Sequence, residues 1–254
     1  MHTFKWIAVL ILLSFNAFSQ TATDSIATAN QLPAATQLKF SAKQLIIPAV
    51  LMTYGVVAIE SDYLKLLNSE LRDELKEHID ERFSIDDFSQ YAPMASVYLL
   101  NNIGKEGKNN LKDRSIILAT SYVMMSATTL GIKSWTQIER PDGSATNSFP
   151  SGHTATAFAG AEFLWQEYKD VNIWYGISGY AVAAGTGFFR IYNGRHWLSD
   201  VAMGAGIGIL STKAAYWMYP FLKKHLFTKE RKSTSMIAPF YNGKQTGLGF
   251  VMQF

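Results

Sequence analysis

Cysteine is absent from the 254 residues. That excludes disulfide scaffolds, thiolate metal sites and cysteine nucleophiles together. Charge is scarce: Asp, Glu, Lys and Arg make up 17% of the chain, where roughly a quarter is usual. The net charge is only +3, so no broad basic field exists and no nucleic-acid partner is expected. Tandem repeats and low-complexity tracts are missing as well. What is abundant is apolar: 48% of residues are hydrophobic and 13% aromatic, which excludes a disordered chain. The length suits one main domain with a sizeable core.

The first nineteen residues read as a secretory signal. His2 and Lys5 form a weakly basic start, Trp6 to Leu13 an apolar stretch, and Ala17 and Ser19 a small-residue cleavage site. Residues 20–43 read as a flexible leader, 44–222 as a helical domain, and 223–254 as a basic linker with a small C-terminal β-hairpin. Leu45 to Ile59 and Tyr91 to Ile103 are apolar. Between them, Ser61 to Asp87 is dense in charge. Leu64, Leu67, Leu71, Leu75 and Ile79 recur there at helical steps, so this segment predicts a surface helix with one apolar stripe.

Four further segments predict membrane spans: Ser115 to Ile132, His153 to Trp165, Trp174 to Phe189, and Trp197 to Trp217. Basic stretches at Lys105 to Arg114 and Lys223 to Lys232 predict the cytoplasmic side. Gly204 and Gly208, four apart, predict a face for close helix packing. At the end, Asn242-Gly243 favours a tight hairpin turn, and Leu248, Phe250, Met252 and Phe254 alternate as a strand does.

Three polar stretches carry chemistry. The first is Lys133-x6-Arg140-Pro141. Arg140 offers a planar fork that matches phosphate oxygens, and Pro141 stiffens the loop presenting it. The second is Pro150-Ser151-Gly152-His153, just before a helix. Ser151 suits the N-cap, and the free amides beyond it make an anion site that Gly152 lets a ligand approach. The third is Arg190-x5-His196-x3-Asp200. A four-residue step puts His196 and Asp200 on one helix face. The carboxylate can fix one ring nitrogen and leave the other free to attack.

Taken together and in this order, the motifs resemble those of the type-2 phosphatidic acid phosphatase superfamily. That superfamily also holds soluble bacterial acid phosphatases and vanadium haloperoxidases. The resemblance covers Lys133 to Asp200. One position departs from it: the family usually has Ser before the third-motif arginine, where this chain has Phe189. The resemblance implies that His196 is the nucleophile, that Asp200 orients it, and that His153 is the general acid and base. It implies that Lys133, Arg140, Ser151, Gly152 and Arg190 bind phosphate, and that no metal or cofactor is needed. The expected fold is all-α, a bundle of about six core helices embedded in a membrane. The expected activity is hydrolysis of a lipid phosphate monoester or pyrophosphate at the periplasmic face of a bacterial inner membrane, with membrane lipids as surroundings. A soluble periplasmic acid phosphatase and a vanadate-dependent haloperoxidase are the alternatives.

Overall fold

A computed structural model describes residues 38–77, 84–227, 234–241 and 246–253. The signal and leader expectations lie outside the described residues apart from the leader's last positions. So does the turn expected at Asn242-Gly243. Among the described residues eight α-helices follow one another: α1 (Ile46–Glu60), α2 (Asp62–Glu77), α3 (Ile85–Ser89), α4 (Ala92–Asn102), α5 (Leu111–Thr136), α6 (Gly152–Tyr168), α7 (Ile173–Tyr192) and α8 (Leu198–Leu222). Among the described residues of this domain the regular elements are all helices. Beyond it, Thr234–Tyr241 pairs antiparallel with Thr246–Gln253, Thr234 opposite Gln253 and Tyr241 opposite Thr246.

Helix α6 is the centre. Ala155, Ala157, Ala159, Ala161 and Phe163 are fully buried. It packs against α7 and α8, with α4 and α5 on its remaining flanks. Small residues allow this crowding. A Cβ on Gly208 would lie 2.3 Å from the Ala155 carbonyl oxygen, and one on Gly204 would lie 2.5 Å from that of Ser151. The expected close face at these two glycines is therefore the α6–α8 contact.

Of the four expected spans only Ser115 to Ile132, within α5, meets the length and hydropathy of a membrane span; His153 to Trp165, Trp174 to Phe189 and Trp197 to Trp217 lie in helices that do not. Ala42–Glu60, which adds a short 3-10 turn to α1, and α5 are long and apolar enough to cross a membrane. Only 17% and 22% of their most apolar windows is buried, so their apolar faces point outward. The stretch His153 to Trp165 behaves differently. It lies within α6, whose neighbours bury most of it, Thr154 and Glu162 included.

The charged segment Ser61 to Asp87 is likewise not one surface helix. Its first part is α2, which docks across the start of α8. Asn68 donates to Ser199 Oγ at 3.2 Å, and the Arg72 guanidinium sits 5.4 Å from the Trp197 ring centre. Its last residues belong instead to the separate helix α3. There Asp86 is 1% exposed, because an arginine and an asparagine of the α7 end enclose it.

Candidate active site

One end of the bundle gathers the motif residues. The last turn of α5 supplies Lys133, the α5–α6 loop Arg140, and the first turn of α6 His153. The last turn of α7 supplies Arg190, and the start of α8 supplies Asp200 with His196 just before it. These helix ends meet because α5 and α7 run toward this face while α6 and α8 leave it.

The α7–α8 connection folds back on Arg190, whose carbonyl accepts from the backbone N–H of Arg195 at 3.0 Å and of His196 at 3.2 Å. The α5–α6 loop is closed by Ser148 N–H donating to the Ile138 carbonyl at 2.8 Å. It is tied to the α7–α8 connection by Asp142 N–H donating to Gly194 O at 3.1 Å.

His196 and Asp200 form the buried floor, 2% and 1% exposed. His196 Nδ1 lies 3.3 Å from Asp200 Oδ2. The same oxygen accepts from the Trp197 backbone N–H at 2.9 Å and from the Ser148 hydroxyl. Three donors thus fix the carboxylate, and the carboxylate fixes the ring. Burial pushes the His196 imidazole down to about 4; Arg190 and Lys133 push the same way, while Asp200 opposes them. A neutral ring with its second nitrogen unprotonated is the form that can attack.

Beside Arg190 lies a cleft of about 330 Å³ lined by Asp86, Asp87, Arg140, His153, Arg190 and Arg195 among others; His196 and Asp200 are not part of its lining. The cations crowd one another. Burial, then the charges of Arg190 and Arg195, hold the Arg140 guanidinium below its ordinary value. Such a field attracts an anion. Two carboxylates of α3 answer it from within the chain. Asp86 accepts from Arg190 at 2.6 Å and from Asn193 at 3.1 Å. Asp87 Oδ1 lies 2.9 Å from His153 Nε2 and 3.7 Å from an Arg190 nitrogen.

Each expected site residue has a definite place. Arg140, His153 and Arg190 line the cleft together, with His196 and Asp200 buried beside them. Lys133 braces the loop: its ammonium donates to the carbonyls of Asn147 and, at 3.2 Å, Ser148. The Ser151 hydroxyl caps α6, accepting from the Thr154 N–H at 3.4 Å, and the residue is fully buried. Gly152 opens that helix with Thr129 3.9 Å from where a Cβ would sit. Phe189, where the resemblance leads one to expect Ser, meets Tyr192 edge to face with ring centres 6.1 Å apart.

The sequence reading missed Asp86, Asp87, Ser148, Asn193 and Arg195. One signal was present: Asp86-Asp87 directly precedes a long uncharged run, Phe88 to Gly104. An acidic pair at such a border is poorly placed as a mere solubilising face.

The model of the PAP2 superfamily matches residues 114–224. A lipid A 1-phosphatase of Porphyromonas gingivalis is 36% identical over 171 residues, 63% of this chain and 38% of that protein. The bacitracin transport permease protein BcrC of Bacillus licheniformis is 36% identical over 76 residues, 30% of this chain and 36% of that protein. The chain therefore spans less than two fifths of the length of either curated relative. A crystal structure of a transmembrane PAP2 type phosphatidylglycerolphosphate phosphatase from Bacillus subtilis aligns over 72% of this chain and 98% of its own, with 16% identity and a TM-score of 0.48. The family model and the motifs fall on the same part of the chain: residues 114–224 match the model of the PAP2 superfamily, and the three motifs, Lys133 to Asp200, lie within them.

Proposed function

We propose that the protein is a metal-independent lipid phosphate phosphatase working through a phosphohistidine. One observation carries this reading: a buried His196–Asp200 pair lies beside a cleft that brings Arg140, Arg190 and His153 together. In the first step the His196 nitrogen remote from Asp200 attacks phosphorus. The phosphorus–oxygen ester bond breaks, its electron pair leaves on the ester oxygen, and His153 gives that oxygen a proton. In the second step water attacks phosphorus and loses a proton to His153. The phosphorus–nitrogen bond breaks and its pair returns to the imidazole. Asp200 stabilises the cationic ring between the two steps. Arg140 and Arg190 offset charge on the phosphoryl oxygens, the part a divalent ion plays elsewhere. Lys133 holds the loop that presents Arg140 and adds its charge to the same field.

A lipid substrate is favoured by where the apolar surface lies. The α1 and α5 helices expose Ile46, Ile47, Val50, Val123 and Leu130, and both reach the length of a span. Exposed apolar helices of that length suit a bilayer better than water. In this reading the cleft opens at the periplasmic face of the inner membrane, and the α6 to α8 bundle carries the site at head-group depth. The similarity to a lipid A 1-phosphatase over 63% of the chain supports the same substrate class.

Phosphate release tests the proposal. Full-length protein in detergent, with EDTA, is offered a long-chain lipid phosphate and a small water-soluble phosphate ester, beside His196→Ala. The proposal predicts preference for the lipid and loss of release in the variant. Equal turnover of the soluble ester would favour a broad-specificity acid phosphatase. Release surviving His196→Ala would remove the nucleophile.

A further inference from the structure

The cleft is cationic, yet α3 places two carboxylates in it, and they are not equivalent. Asp86 is buried and bound to Arg190 and Asn193, so it belongs to the frame that holds Arg190. Asp87 stands at the rim with its side chain 55% exposed. Its helix is anchored on α7 by the Ser89 and Thr186 hydroxyls at 2.8 Å. The Asp87 backbone carbonyl is held by Gln90 Nε2 at 2.9 Å. Asp87 Oδ1 meets His153 Nε2 at 2.9 Å, on the group that must protonate the departing oxygen. The leaving group's first atoms therefore arrive beside a fixed negative charge.

We infer that Asp87 is a specificity-determining residue that selects neutral, hydroxyl-bearing leaving groups and discriminates against anionic ones. The substrate class becomes phosphate monoesters of an alcohol, with pyrophosphates disfavoured. The inference rests on the phosphatase reading above and narrows it. An alcohol leaving group brings no charge of its own, and once His153 has protonated it the new hydroxyl can donate to the carboxylate. A leaving phosphate brings a second anion against it, and like charges at close range cost affinity and rate. At a half-exposed site a like charge about 5 Å away is worth about fivefold.

The test uses two probes with one tail, dodecyl phosphate and dodecyl pyrophosphate, and full-length protein in detergent. Release of the terminal phosphate is measured as kcat/KM for wild type, Asp87→Asn and Asp87→Glu. Wild type is expected to prefer the monoester, although an alkyl phosphate is chemically the better leaving group. Asp87→Asn is expected to raise the pyrophosphate-to-monoester ratio by about fivefold or more, while Asp87→Glu keeps the wild-type ratio. If Asp87 served only to orient His153, both rates would fall together and the ratio would stay fixed, which overturns the inference. A wild-type preference for the pyrophosphate overturns it without any variant. No release from either probe by wild type removes the phosphatase reading itself, and the inference with it.

Discussion

Replacing Gly208 with alanine tests whether close packing of α6 on α8 sets the catalytic geometry. The new Cβ would sit 2.3 Å from the Ala155 carbonyl oxygen and 2.8 Å from the Ala159 nitrogen. Cβ contacts scarcely come below 3.0 Å, so the helices must part by about 0.7 Å. Both obstacles are backbone, so no side chain can turn aside. Ala155 lies two residues after His153 on α6, and α8 carries Asp200. The parting therefore separates His153 from Asp200. Alanine raises helix propensity by about 1 kcal/mol, and overpacking costs about 1–3 kcal/mol. A net stability loss of up to about 2 kcal/mol is expected, together with a fall in kcat of about 10²-fold from misplacement near 1 Å. Unfolding in detergent and phosphate release measure the two effects. Adding Ala155→Gly should not rescue either, since the clash is with a carbonyl. Wild-type kcat in Gly208→Ala, or rescue by Ala155→Gly, would refute the reasoning.

Three further outcomes follow from the same geometry. Asp200→Asn should lower kcat by about 10²–10⁴-fold with substrate affinity retained, because the ring loses its orienting acceptor and its counter-charge; initial rates across substrate concentrations check this. His196, held down near 4 in the folded chain, stays neutral while an unfolded histidine protonates near its ordinary value of about 6.5. The unfolded state therefore binds the extra proton between those values, so stability falls as pH drops through that window, by about 3 kcal/mol in all, and levels off below pH 4. Unfolding of wild type against His196→Gln across pH isolates this contribution. Glu167→Ala should cost roughly 3–5 kcal/mol. It strips the countercharge from fully buried Arg114, 3.6 Å away, and the acceptor from the Tyr216 hydroxyl at 2.6 Å. Thermal unfolding reads that loss.

The three motifs were legible because their chemistry is local. A four-residue step places His196 and Asp200 together whatever surrounds them. Ser151 announced its helix start, and Gly204 and Gly208 announced a close contact. The partners that arrive from elsewhere were not legible. Asp86 reaches Arg190 across 104 positions, and nothing in its neighbours' residue types encodes that meeting. Ser148 falls between the first two motifs and belongs to neither, although its hydroxyl holds Asp200.

Hydropathy also failed to separate two kinds of apolar helix. The stretch His153 to Trp165 and α5 both look insertable, but α6 is enclosed by protein and α5 is not. The distinction lies in which faces find partners, and that is settled by packing rather than by composition.

If His196 is the nucleophile we propose, it becomes phosphorylated during turnover. Rapid acid-free quenching of the full-length protein with a long-chain lipid phosphate, followed by peptide mass spectrometry, tests it most directly. The account predicts a phosphoryl group on the peptide bearing His196. The signal should decay as free phosphate appears and be absent in His196→Ala. Steady phosphate release with no phosphoryl group on His196 at any time point, or release that persists in His196→Ala, would contradict it.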